Sequence, residues 1–322
     1  YLLTPGIKYG TKKGDFTHMN ELFAPILTVM KAKDLKEAID IVNSTGYGLT
    51  AGFESLDERE WEYFHTHIEA GNIYINKPTT GAIVLRQPFG GIKKSAIGFG
   101  RKVGIYNYIT QFLDIEQSQA DQNVLDNELV SNLNALNLDL NEKDKADFEV
   151  IKAIARSYAY HAKHEFASVK DYVNIRGEDN LFSYTKVKNI AYRVHKDDSL
   201  KDILGVILAA SVLNIDLILS YDEHEKIDLV QKINQKISSK TLFLKESKEN
   251  FISKIADYER IRYFAPLDVN DEIFIKAASC AKIIANAKPL MNGRFELLLY
   301  HNEKALSISF HRYGNLGIRA LK

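Results

Sequence analysis

Over the first 115 residues the apolar positions fall into short blocks that switch between two periods. Residues 26–30 (ILTVM), Thr50–Phe53 and Asn72–Asn76 are brief apolar runs of the strand kind. Between the first two, Leu35, Ala38, Ile39 and Val42 recur at helical spacing behind Asp34-Leu35-Lys36-Glu37. That tetrad has the form of a capping box, with Asp34 accepting amide hydrogen bonds and Glu37 reaching back. Ser55-Leu56-Asp57-Glu58 gives the same signal for a second helix. Trp61, Phe64 and Ile68 line its apolar face, and Gly71 stands where a left-handed C-terminal cap belongs. Short alternation of helix and strand predicts an α/β sheet with parallel strands. Lys93–Gly104 reads as a glycine-bearing surface loop without the GxGxxG spacing, and Tyr108–Ile115 as a β-rich segment.

The pattern breaks at residues 116–145, which are rich in Asn, Asp and Gln. Leu125, Leu129, Leu133 and Leu136 keep a helical spacing there, suited to an arm. From Asp147 a long helix is predicted, with Phe148, Ile151, Ile154, Ala155, Tyr158 and Ala162 facing a core. Strands at Ile190–Val194, Ile215–Ser220, Thr241–Leu244 and Arg260–Phe264 then alternate with helices at Leu200–Leu213, Glu223–Ile237, Lys248–Tyr258 and Val269–Ala281. This is a doubly wound, Rossmann-like series. No glycine-rich turn follows its first two strands, and an open sheet alone implies no nucleotide. The reading divides the chain at 1–115, 116–146, 147–290 and 291–322.

Composition narrows the classes. An apolar content of 45% supports full cores in a chain of 322 residues, and 42 basic against 42 acidic residues leave no field that favours nucleic acid. The single cysteine, Cys280, excludes an internal disulfide and suits a reducing, cytoplasmic compartment. The most apolar run, Ile203–Leu213, stops far short of the ~20 residues a membrane span needs. His65 and His67 are two apart and cannot aim at one metal from a helix, so no metal site is expected. A chain that opens on Tyr1 suggests a piece of a longer polypeptide.

The candidate chemistry lies in Gly71–Gly91: a buried strand, a polar loop closing on Gly81-Ala82, and a turn at Pro88-Phe89-Gly90-Gly91. Small residues let a backbone approach a ligand, and an aromatic held between Pro and Gly looks like one wall of a small-molecule pocket, with an ordinary hairpin as the alternative reading of the same residues. Upstream stand Thr4-Pro5-Gly6-Ile7-Lys8-Tyr9-Gly10, Glu21-Leu22-Phe23-Ala24-Pro25 and Asn43-Ser44-Thr45-Gly46-Tyr47-Gly48-Leu49-Thr50. In this order and spacing the motifs resemble the C-terminal part of the aldehyde dehydrogenase catalytic domain. Within that superfamily they resemble the glutamate-semialdehyde dehydrogenase module of the bifunctional proline utilization A flavoproteins. Ala24 departs from the usual glycine, Ser95-Ala96 from Ser-Gly, and Gly104-Ile105-Tyr106 from Gly-Gly-Pro.

The resemblance implies part of an aldehyde dehydrogenase catalytic domain followed by a Rossmann-like noncatalytic domain. Tyr108–Ile115 would lead into an oligomerisation flap of a homo-oligomer. Asn292–Tyr300 and His311–Gly317 resemble a C-terminal motif that covers the tunnel between two active sites. The parent activity would oxidise proline with FAD, then glutamate semialdehyde to glutamate with NAD. Glu21 would bond the nicotinamide ribose and Phe23 pack beside the nicotinamide. The Gly81 and Ala82 amides would hold the substrate α-carboxylate, and Phe89 would flank its aliphatic part. The cysteine nucleophile and general base would lie upstream of Tyr1, in the N-terminal remainder of the polypeptide. Cys280 is then a structural thiol, and the 322 residues alone are inactive. A noncatalytic assembly or lid module is the competing expectation.

Overall fold

The computed structural model describes residues 2–116, 120–237 and 240–310. In chain order its strands are β1 (Gly6–Tyr9), β2 (Ile26–Val29), β3 (Thr50–Phe53), β4 (Asn72–Ile75), β5 (Lys170–Asp171) and β6 (Glu178–Lys186). Then come β7 (Asn189–Arg193), β8 (Asp216–Tyr221), β9 (Thr241–Lys245), β10 (Arg260–Arg262), β11 (Ile283–Ala285) and β12 (His301–Ser309). The chain forms two compact units. The first takes residues 1–111, 170–182 and 303–322, and the second takes 112–169 and 183–302. The units therefore interleave, whereas the sequence reading laid the domains end to end.

In the first unit β1 and β2 form a parallel pair, and a separate sheet runs β3-β4-β12-β6-β5. β4 is parallel to β3 on one side and to β12 on the other, with Asn72 opposite both Thr50 and Ala305. Helices Leu35–Asn43 and Glu58–His67 and the sheet bury Ile39, Phe64, Ile68, Ile73, Ile75, Leu306 and Ile308 together. Asp34 caps the first helix by accepting from Glu37 N–H (2.8 Å), while Glu37 reaches one residue further than expected, to Lys33 N–H (2.6 Å). The second helix is capped by Asp57 rather than Ser55, because Asp57 accepts from Arg59 N–H and Ser55 braces the Asp57 amide.

Three expectations for this unit are corrected. Gly71 is not a left-handed cap, since the helix ends in extended backbone at Ile68. Its lack of a side chain serves a close approach instead: a Cβ there would lie 2.1 Å from Gly90 O. Tyr108–Ile115 contains no strand; a 3-10 turn spans Tyr106–Phe112, and both edges of β4 are already paired. Lys93–Gly104 is not wholly a surface loop, because Arg101 and Lys102 are buried.

The second unit has the all-parallel order β11-β10-β7-β8-β9, a doubly wound sheet that reverses between β7 and β10. Helix Leu200–Leu213 is almost wholly buried, as its unbroken apolar run requires. The long helix begins at Glu142, five residues before the expected start, because Asn141 accepts from Asp144 N–H (2.9 Å). Asn292–Tyr300 forms two short helical turns before β12, and His311–Gly317 lies outside the described residues.

Candidate functional site

Glu21 lines a cleft of about 680 Å³ in the first unit, with His18, Thr28, Thr45, Tyr47 and Lys94 among its walls. His18 Nδ1 accepts from Gly14 N–H (2.9 Å), so Nε2 carries the hydrogen given to Ile41 O (3.0 Å). That ring is fixed by backbone. Among the described residues the Glu21 carboxylate has no hydrogen-bond or ion-pair partner. Phe23, two residues on, holds φ +44° with its side chain exposed. A bulky residue in the left-handed region stores strain, and such strain clusters at functional sites.

Gly81 and Ala82 do not line that cleft. They sit on the loop after β4, with Gly81 at φ +75° and open space where a Cβ would be. Neither amide finds an acceptor among the described residues. Successive N–H groups without an acceptor beside a left-handed glycine are open to an anion.

Phe89 is half-buried and is clamped from both sides. Its N–H and C=O pair with Val103 O and Val103 N–H, both at 2.9 Å. Asn72, fully buried on β4, donates to Pro88 O (3.1 Å) and accepts from Gly90 N–H (3.0 Å). Lys102 Nζ completes the clamp, donating to Asn72 Oδ1 (3.1 Å) and Gly90 O (2.5 Å). Burial pulls the Lys102 ammonium down to about 7, and the Glu303 carboxylate opposes this without cancelling it. Glu303 on β12 accepts from Lys102 N–H (2.7 Å) and Asn107 Nδ2 (2.8 Å), with Arg101 Nη1 at 3.7 Å. Asn72, Lys102 and Glu303 escaped the sequence reading; the single available signal was a polar residue opening an otherwise apolar strand.

In the second unit the turn after β7 is filled by the protein's own carboxylates. Asp198 accepts from His195 N–H and Tyr192 OH, both at 2.7 Å. Ser199 and Asp202 close the helix N-terminus as a reciprocal capping box, and Lys288 sits 2.7 Å from Asp202. In a dinucleotide-binding turn those amides would face a pyrophosphate. Cys280 lies at the C-terminal cap of helix Glu272–Ser279, its Sγ 3.7 Å from Ser279 Oγ. Among the described residues no group of His, Cys, Asp and Glu is arranged to hold a metal ion. No helix there is long and apolar enough to cross a membrane.

Residues 1–117 match the model of the aldehyde dehydrogenase family. Over 114 residues the chain is 35% identical to proteins named 1-pyrroline-5-carboxylate dehydrogenase from Staphylococcus epidermidis and Staphylococcus aureus. That stretch is 35% of this chain and 22% of each relative. The structure of proline utilization A (PutA) from Corynebacterium freiburgense matches 96% of this chain at 30% identity with a TM-score of 0.70, and 28% of that chain is covered. The mixed α/β fold with parallel sheets and Rossmann-like features accords with both.

Proposed function

We propose that this chain is the C-terminal portion of a bifunctional proline-catabolic enzyme and contributes one wall of an NAD-dependent dehydrogenase site for L-glutamate γ-semialdehyde. The observation that carries the reading is the 35% identity over 114 residues to proteins named 1-pyrroline-5-carboxylate dehydrogenase. The geometry supports it. The unpartnered Gly81 and Ala82 amides suit the substrate α-carboxylate, and the turn holding Phe89 suits its aliphatic chain. Glu21 can accept from two neighbouring ribose hydroxyls, and the exposed face of Phe23 can meet the nicotinamide. NAD, when bound, supplies the hydride acceptor for aldehyde oxidation.

The remaining parts belong to the N-terminal remainder of the polypeptide: the cysteine nucleophile, the general base and the flavin that serves proline oxidation. Ile7, Tyr9, Ile26 and Leu27 on β1 and β2 are exposed apolar side chains suited to packing against that remainder. A homo-oligomer in the cytoplasm completes the reading, and the 322 residues alone are inactive in it.

The substrate assignment is tested in the full-length polypeptide with Ala82→Val. A β-branched residue beside the free amides blocks the carboxylate. Losing a charge-assisted hydrogen bond of roughly 1.5–3 kcal/mol lowers kcat/KM for glutamate semialdehyde about tenfold to a hundredfold. A short aldehyde without a carboxylate keeps its rate, and the KM for NAD stays. Equal losses on both aldehydes would remove the loop from substrate recognition.

A further inference from the structure

We infer that Glu303 is a positioning residue for the turn that carries Phe89, acting through Lys102 and Asn72. The inference rests on the reading of Phe89 as a substrate contact.

Glu303 enters the site from β12, far along the chain from the turn it serves. Its side chain is fully buried, which a carboxylate tolerates only when its oxygens are satisfied. One oxygen takes the Lys102 amide and the other the Asn107 side chain, with Arg101 alongside. Those bonds fix residues 101–107. Val103 in that segment pairs with Phe89 through both backbone groups, and Lys102 Nζ reaches back to Gly90 O and Asn72 Oδ1. Asn72 in turn holds Pro88 O and Gly90 N–H.

Every polar backbone group flanking Phe89 is thus bonded to a residue that Glu303 orients or to that residue's own partner. Nothing in this set is spare. Gly90 packs tightly on the 101–103 segment, since a Cβ there would meet Lys102 Cα at 3.2 Å. Phe89 is therefore aimed by a carboxylate that would itself touch no substrate.

The test has two arms. In the full-length polypeptide, amide hydrogen exchange is compared for wild type, Glu303→Gln and Lys102→Met. Lys102→Met removes the Nζ bonds but leaves the backbone amide with Glu303, and so guards against one variant failing to fold. The expected result is at least a roughly tenfold rise in exchange at Phe89, Gly90 and Val103, while Asn76 N–H, bonded to Phe53 O across β3 and β4, is unchanged. Unchanged exchange at Phe89 and Val103 overturns the proposal. So does an equal rise at Asn76, which would make Glu303 a general prop of the sheet.

In the full-length polypeptide, Glu303→Gln is expected to raise the KM for glutamate semialdehyde about tenfold, with kcat within twofold and the KM for NAD unmoved. A rise in exchange at the turn with an unchanged substrate KM supports the positioning role and removes Phe89 from the substrate site. The two failures are therefore told apart.

Discussion

At the scale of one residue, Lys102 makes the first unit sensitive to pH. Its ammonium lies at about 7 in the fold against 10.5 for a free lysine, because burial penalises the charged form. Between those values the unfolded chain holds a proton that the fold has released, so stability rises with pH across that window. The rise is about 1 kcal/mol per pH unit. Lys304, drawn down to about 8 by burial against the pull of Glu69, adds to the same slope at its upper end. The chain's single tryptophan, Trp61, belongs to the first unit and reports on it alone. Denaturant midpoints followed by Trp61 emission are expected to climb from pH 7 to pH 9, and Lys102→Met to flatten the climb. None of this was legible in Gly100-Arg101-Lys102-Val103-Gly104, which reads as solvated loop charge. The Lys102 N–H is bonded to Glu303, 201 positions later, and no local pattern carries that distance. Phe89 and Gly81 were legible because their roles sit in short contiguous motifs.

At the scale of the element, caps decided where helices began. Ser199 accepts from Asp202 N–H (3.2 Å) while Asp202 accepts from Ser199 N–H (3.0 Å), so each side chain satisfies the other's amide. Ser199→Ala is expected to cost about 1 kcal/mol. The measure is the loss of exchange protection along Leu200–Leu213, with Trp61 emission unchanged. Helix Leu200–Leu213 was read from the sequence at both ends, since its apolar run stops at Asn214, which takes the left-handed conformation. β7, β8 and β9 were read to within a residue at each end for the same reason: each is a short, mostly apolar run between turn residues. β11 and β12 were not. β11 is three residues long, and β12 alternates Glu303, Lys304 and Ser307 with its apolar positions. Arg260 and Arg262 are fully buried on β10, held by Leu299 O, Asn302, Glu296 and Ala285 O. A hydropathy pattern counts such residues as exposed, whereas their burial follows from partners that only the fold supplies.

For the molecule as a whole, the interleaving matters most. Leu306, Ile308 and Phe310 join the first unit's core, and each buried side chain of this kind is worth roughly 1.5–3 kcal/mol. A chain ending at Asn302 is therefore expected to lose that unit. Trp61 emission should already be shifted to the red without denaturant, while exchange protection in Leu200–Leu213 persists. A blue, protected Trp61 in that truncation would show that β3, β4 and their two helices stand alone. The parallel pairing of Asn72 with Ala305 also sets a clock. Synthesis at ~5–20 residues per second leaves one edge of β4 without its partner for roughly 10–50 s after β4 has left the ribosome. Through that interval Ile73 and Ile75 belong to an unfinished core, and an open apolar edge is a template for the wrong strand. For this chain, the hazard of aggregation is concentrated in the time between making β4 and making β12.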